Sequence, residues 1–227
     1  MKHVIREIEN QLKIVILCDY EVGMRNACSE VWPSPTVCGC CFYYTKATFK
    51  HIVDLGLKTE YEVEGSDVRK YYKMIAALPF IPQDDVLSAW DQLRLLLPSD
   101  LSAFAAYFEY TWVGSRSSNP LFPIHSWNQH DASLMGLPRS TNMAEGWHHG
   151  FNGMLSCTNP TVWKFLEALK KEHNLTRMQL GRMRQLESPE RRPAKWVRYD
   201  NKLQRLCDSY SSQSDVIEFL KKVANVC

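Results

Sequence analysis

Several things this chain lacks narrow its class before any motif is read. No apolar run approaches the roughly 18 residues that span a bilayer. The longest early run, Ile14 to Cys18, is strand-sized and follows a charged start, so neither a membrane segment nor a signal peptide opening at Met1 is expected. No Gly-rich phosphate loop, nucleotide-binding fingerprint or serine–histidine arrangement appears. Internal repeats and low-complexity tracts are missing too. With 10 Gly and 11 Pro the chain is not collagen-like, and 45% hydrophobic with 11% aromatic residues excludes a mainly disordered one. A second pair of zinc ligands is also absent. The eight cysteines include a crowded Cys38-Gly-Cys40-Cys41, but no further C-x-x-C or H-x-x-x-H completes a tetrahedral set. The adjacent His148 and His149 would point in different directions on a helix. Structural zinc is therefore not expected, and the thiols read as reduced and mostly buried.

What is present suits one globular domain, or one domain with a large insertion, in 227 residues and 26.3 kDa. The net charge of +2 hides an asymmetry. Residues 1–159 hold 13 Lys and Arg against 17 Asp and Glu, whereas residues 160–227 hold 14 against 8. The excess peaks between Arg177 and Arg205, with Arg191, Arg192, Lys195 and Arg198 at its centre. Such a cluster can neutralise nucleic-acid phosphates, and its plain alternative is a solvated helix face.

Along the chain, His3 to Asn10 read as the end of a helix, and Leu12 to Cys18 as a strand covered on both faces. Glu21 to Val31 read as a helix that Trp32-Pro33-Ser34-Pro35 stops. Thr36 to Cys38 form a second strand and Cys40 to Leu55 a second helix, so the two strands should pair in parallel through a right-handed crossover. From Ser66, a cap for Asp67 to Leu78, the pattern turns helical, with stretches at Gln83–Leu97 and Leu101–Trp112 separated by Pro79, Pro82 and Pro98. Residues 114–138 read as a loop anchored by Phe122 and Trp127. Thr141 or Asn142 can cap a helix to about Leu155. Asn159-Pro160 signals the start of a long helix to about Leu186, and Ser214 to Val226 form a closing helix.

Two acids stand out by position. Asp19 ends a hydrophobic strand, where open α/β sheets place ligands, and Glu145 lies early in a helix with His148 three residues on. Carboxylates brought together by a fold can hold divalent metals for phosphoryl displacement; taken singly, each is an ordinary surface acid or helix cap.

These residues come in an order that resembles a known family. A strand ending in Asp19-x-Glu21 leads to a helix and a proline break. Gly39-Cys40 with aromatics follows, then Leu78-Pro-Phe-Ile-Pro82, the YFEYTWVG of residues 107–114, the FPIHSWN of residues 122–128, and Arg139-x-Thr-Asn-x-x-Glu-Gly-Trp-His148. Over about residues 3–175 this resembles the C-terminal part of the Mutator-like element (MULE) transposase domain, including copies found beside FLYWCH-type zinc fingers. The resemblance implies an α/β fold, mainly α by content. It would comprise an incomplete RNase H-like core (1–65), a helical insertion and loop (66–138), a glutamate-bearing helix and its successor (139–175), and a basic helical tail (176–227). It implies an Asp-Asp-Glu site binding Mg²⁺ or Mn²⁺ for DNA cleavage and strand transfer. Asp19 matches the second aspartate and Glu145 the glutamate, both as catalytic residues and metal ligands. Cys40 matches the cysteine of a C-x-x-H element whose histidine position is Tyr43; Asn142 and His148 match the closing motif.

The first aspartate would lie on a strand before Met1, so catalytic activity is left open. Three readings follow: an impaired transposase-derived protein, a non-catalytic DNA-binding or interaction module, or a nuclease completed by a partner chain. DNA is the implied partner and a homo-oligomer a further one, with no membrane. The nucleus is the location the family implies, the cytoplasm otherwise.

Overall fold

The computed structural model describes residues 15–32, 36–115, 118–184, 193–211 and 215–226. At 71% helix with one two-stranded parallel sheet, the chain is mainly α by content. Its described residues fall into two compact units, one up to Ser140 and again from Tyr199 onward, the other Thr141–Arg198. The helix expected at His3–Asn10 and the start of the strand expected from Leu12 lie outside the described residues.

The first unit opens with β1 (Val15–Cys18), α1 (Val22–Val31), β2 (Thr36–Gly39) and α2 (Cys41–Asp54). The strands pair in parallel from Val15↔Thr36 to Cys18↔Gly39, as their intervening helix requires. The ladder continues where the Cys40 amide donates to the Cys18 carbonyl at 2.7 Å. Among the described residues β1 falls short of the expected cover on both faces: Val15 is 42% exposed and the remainder of β1 half-buried.

A helical block follows. After the short α3 (Lys58–Glu62), α4 (Asp67–Ala77) starts at Ser66, whose hydroxyl accepts the Arg69 amide at 3.2 Å, the cap the sequence predicts. Pro79 and Pro82 then break the chain into 3₁₀ turns, so α5 spans only Val86–Arg94 rather than Gln83–Leu97. α6 (Ser102–Phe108) widens into a π turn over Glu109–Val113, ended by Gly114 at φ +78°. A Cβ at Gly114 would run into the Pro120 ring and the Ser118 carbonyl. The stretch expected as loop contains a 3₁₀ turn at Ile124–Ser126 and α7 (His130–Leu134), entered through an Asx turn in which the Asn128 side chain accepts the His130 amide at 3.0 Å.

The core of this unit is aromatic. Tyr44 stacks on Trp127 with centroids 5.3 Å apart and meets Trp112 edge-on at 5.0 Å. The buried Trp127 indole N–H donates to the Trp112 carbonyl at 2.8 Å, so Trp127 anchors the 114–138 segment as expected. Each such ring removes roughly 150–250 Å² from water, several kcal/mol at about 25 cal/mol per Å².

The second unit is a helical hairpin of α8 (Asn142–Leu155) and α9 (Val162–Arg184). α9 starts two residues later than the Asn159-Pro160 signal suggests. Thr161 is its cap, the hydroxyl accepting the Lys164 amide at 3.3 Å. Among the described residues Phe151, Leu155 and Ala168 form its buried cluster, with Met154 packed alongside.

The chain then returns to the first unit through α10 (Ala194–Asp208) and α11 (Val216–Ala224). Leu203 and Cys207 of α10 are buried in the aromatic core cluster. Asp215 caps α11 by accepting the Ile217 and Glu218 amides. α11 lies along α4, where Lys73 Nζ donates to the Ala224 carbonyl at 3.3 Å. No described helix is long and apolar enough to cross a membrane.

Candidate functional site

Asp19 stands where the sequence placed it, immediately after β1 and before α1. Its Oδ1 accepts the Glu21 amide at 3.2 Å, a turn that leads the chain into α1. Next to it, Cys18 Sγ faces the Cys38 carbonyl at 3.8 Å and Arg25 Nη1 at 3.9 Å. Burial pushes the Cys18 thiol above its usual range, opposed in part by the Arg25 charge. Tyr20 turns inward from Asp19, its ring edge-on to Trp112 and Phe122, and burial holds its phenol well above the usual value.

Cys40 is fully buried at the N-terminus of α2. Tyr43, one turn on and partly exposed, carries Lys46 Nζ 5.5 Å from its ring centroid and meets Phe42 edge-on. A phenol there supplies no imidazole nitrogen. The Cys41 amide donates to the Arg139 carbonyl at 2.8 Å, which brings the start of the closing motif against α2 within the first unit.

The rest of that motif belongs to the second unit. Glu145 is exposed in the first turn of α8, and its Oε1 accepts the Thr141 hydroxyl at 3.4 Å rather than bonding His148. Asn142 and His148 are exposed. Trp147 stacks on Phe151 at 5.2 Å and donates its indole N–H to Glu172 Oε1 of α9 at 2.8 Å. Trp147, His148, Phe151, Phe165 and Leu169 line an open apolar groove of about 770 Å³. Sequence reading missed the Trp147–Glu172 link, since nothing local marks two residues 25 apart as partners.

Asp19 lies in the first unit and Glu145 in the second. Among the described residues no three His, Cys, Asp or Glu side chains converge to hold a metal ion, so neither carboxylate sits in a completed three-ligand set. Two carboxylates are fewer than a two-metal site needs.

Of the cationic candidates, Arg191 and Arg192 lie outside the described residues. Lys195 and Arg198 are exposed on α10, with Lys195 Nζ 5.5 Å from the ring centroid of the half-exposed Trp196. Arg177, Arg182 and Arg184 are exposed on α9. Of the described cysteines, Cys28, Cys40 and Cys207 are buried and Cys157 is exposed. No family model, curated protein or solved structure matches the chain.

Proposed function

We propose that this chain derives from a DNA-processing domain of the Mutator-like transposase type, with an RNase H-like core, and that it is impaired in strand cleavage as it stands. The observation that carries the reading is Asp19 at the carboxyl end of β1, in a parallel β–α–β–α unit. The closing motif supports it by setting Glu145 in the first turn of a helix. On this reading Asp19 and Glu145 are each metal ligands by the resemblance alone, and a bound Mg²⁺ or Mn²⁺ would supply charge stabilisation at a phosphate.

A second reading, a non-catalytic DNA-binding module, is favoured by the cationic second unit. Residues 141–198 hold ten Lys and Arg against five Asp and Glu, and the described ones are largely exposed. Trp196 beside Lys195 adds a ring able to stack on an unpaired base.

Plasmid nicking and duplex binding test both readings. The expected result is duplex binding that weakens steeply with salt, and slow metal-dependent nicking that Asp19→Ala and Glu145→Ala abolish. Binding with no nicking at all selects the module. Nicking unchanged in both variants overturns the site, and no duplex binding at low salt overturns DNA as the partner.

A further inference from the structure

Beside β2 the first unit holds an open cleft of about 400 Å³ that the DNA reading does not use. Its walls come from α1, β2 and the segment 121–126, and they include Arg25, Trp32, Phe122, His125 and Ser126. Neither Asp19 nor any residue of the second unit lines it. The volume falls within the roughly 300–1,000 Å³ typical of small-molecule sites.

Three observations give the cleft a chemistry. Arg25 is partly buried and forms no ion pair with a carboxylate among the described residues. Among the described residues its guanidinium meets Cys18 Sγ at 3.9 Å, the Val37 carbonyl at 3.5 Å and the Tyr20 ring at 5.7 Å, all long for strong bonds. A planar fork with most of its donors unspent suits a carboxylate or phosphate. Ser126 is 1% exposed and its hydroxyl has no hydrogen-bond partner among the described residues, an unmet polar group in the cleft wall. Trp32 and Phe122 are half-buried and supply aromatic surface, while His125 is exposed and adds a second donor.

We propose that this cleft binds a small planar anion: an aromatic or heteroaromatic ring bearing one carboxylate or phosphate group. Arg25 takes the anionic group, and Trp32 with Phe122 takes the ring. The site is independent of Asp19 and Glu145, so it stands or falls separately from the DNA reading.

The test titrates the full chain with adenosine monophosphate and, in parallel, with 2-naphthoate, which separates phosphate from carboxylate recognition. Adenosine and inorganic phosphate are the controls. Binding is read by calorimetry and by the Trp32 indole N–H resonance, assigned through Trp32→Phe. At least one ring-bearing anion should saturate and move that resonance, with each control weaker by roughly tenfold or more. Arg25→Gln should weaken binding by at least about tenfold, the order expected for losing a charged fork. If Arg25→Gln does not fold, Ser29→Glu, an exposed residue of the cleft, sets a repelling charge there and should weaken binding similarly. The proposal is overturned if neither anion moves the Trp32 signal, or if affinity is unchanged in the folded variants. It is equally overturned if inorganic phosphate binds as tightly as adenosine monophosphate.

Discussion

Tyr20 and Gly39 occupy one space: a Cβ on Gly39 would fall inside the van der Waals surface of the Tyr20 ring. Tyr20 cannot swing aside cheaply, because Trp112 and Phe122 meet it edge-on at 4.9 and 5.0 Å. The last residue of β2 is therefore a glycine for reasons of packing. Its φ is not in the left-handed region. Gly39→Ala should destabilise the first unit by about 1–3 kcal/mol, as overpacking does. Urea denaturation followed by near-UV circular dichroism measures it; a midpoint equal to that of the native protein would show that the ring is free to move.

Arg139 Nη2 and Asp200 Oδ1 lie 2.6 Å apart, with side chains 13% and 30% exposed. The pair ties the segment before the second unit to α10, while the Arg139 carbonyl holds α2. Arg139→Ala should cost about 1.5–3 kcal/mol, the range for a largely desolvated charged hydrogen bond. A double-mutant cycle with Asp200→Asn isolates the pairwise part.

His51 stacks on Tyr107 with centroids 3.7 Å apart, and desolvation lowers its pKa from the usual 6.5, opposed in part by Asp54. The folded state thus disfavours the charged ring. Its contribution is fully present above the unfolded pKa and is lost as pH falls from about 6.5 through the lower folded value. Stability should decline on acidification across that window, and His51→Gln should flatten the decline in a urea-midpoint series against pH.

Burial acts in the opposite direction on the core phenols. Tyr20, Tyr44 and Tyr72 are all raised above the ordinary tyrosine value, chiefly by desolvation. Their contribution is present below the unfolded pKa of about 10 and is lost as pH rises beyond it. A spectrophotometric tyrosine titration should show ionisation of these three only together with unfolding.

The second unit rests on few buried residues, Phe151 chief among them, 7% exposed and edge-on to Phe165. Phe151→Ala should remove about 3 kcal/mol from this hairpin. Amide exchange over residues 142–184 should rise while protection of Tyr44 and Ile75 in the first unit is unchanged.

Much of the local architecture was legible from residue order. The β-branched run leading to Asp19, the proline break after Trp32 and the Ser66 cap each have a short-range cause, whereas Trp127 is marked by residue type and anchored by Tyr44 and Trp112 far along the chain. The Asn159-Pro160 signal placed a helix start, but the competing Thr161 hydroxyl took the cap. The Gly114–Pro138 stretch reads as loop by composition, yet it contains the short helix α7, entered through an Asx turn at Asn128. Asp19 and Glu145 were placed at a strand end and in a first helical turn, yet residue order could not tell what surrounds them.

By itself the sequence determined the elements: periodicity, caps and breakers act over a few residues, and so do the chemical types at Asp19, Glu145 and the basic cluster. Only the tertiary structure decided the partners. Tyr20 against Gly39, Arg139 with Asp200, Trp147 with Glu172 and Arg25 lining one cleft with Ser126 are relations across 19 to 101 positions. Contacts at such separations depend on which surfaces exclude water together, and no local pattern along the chain encodes that.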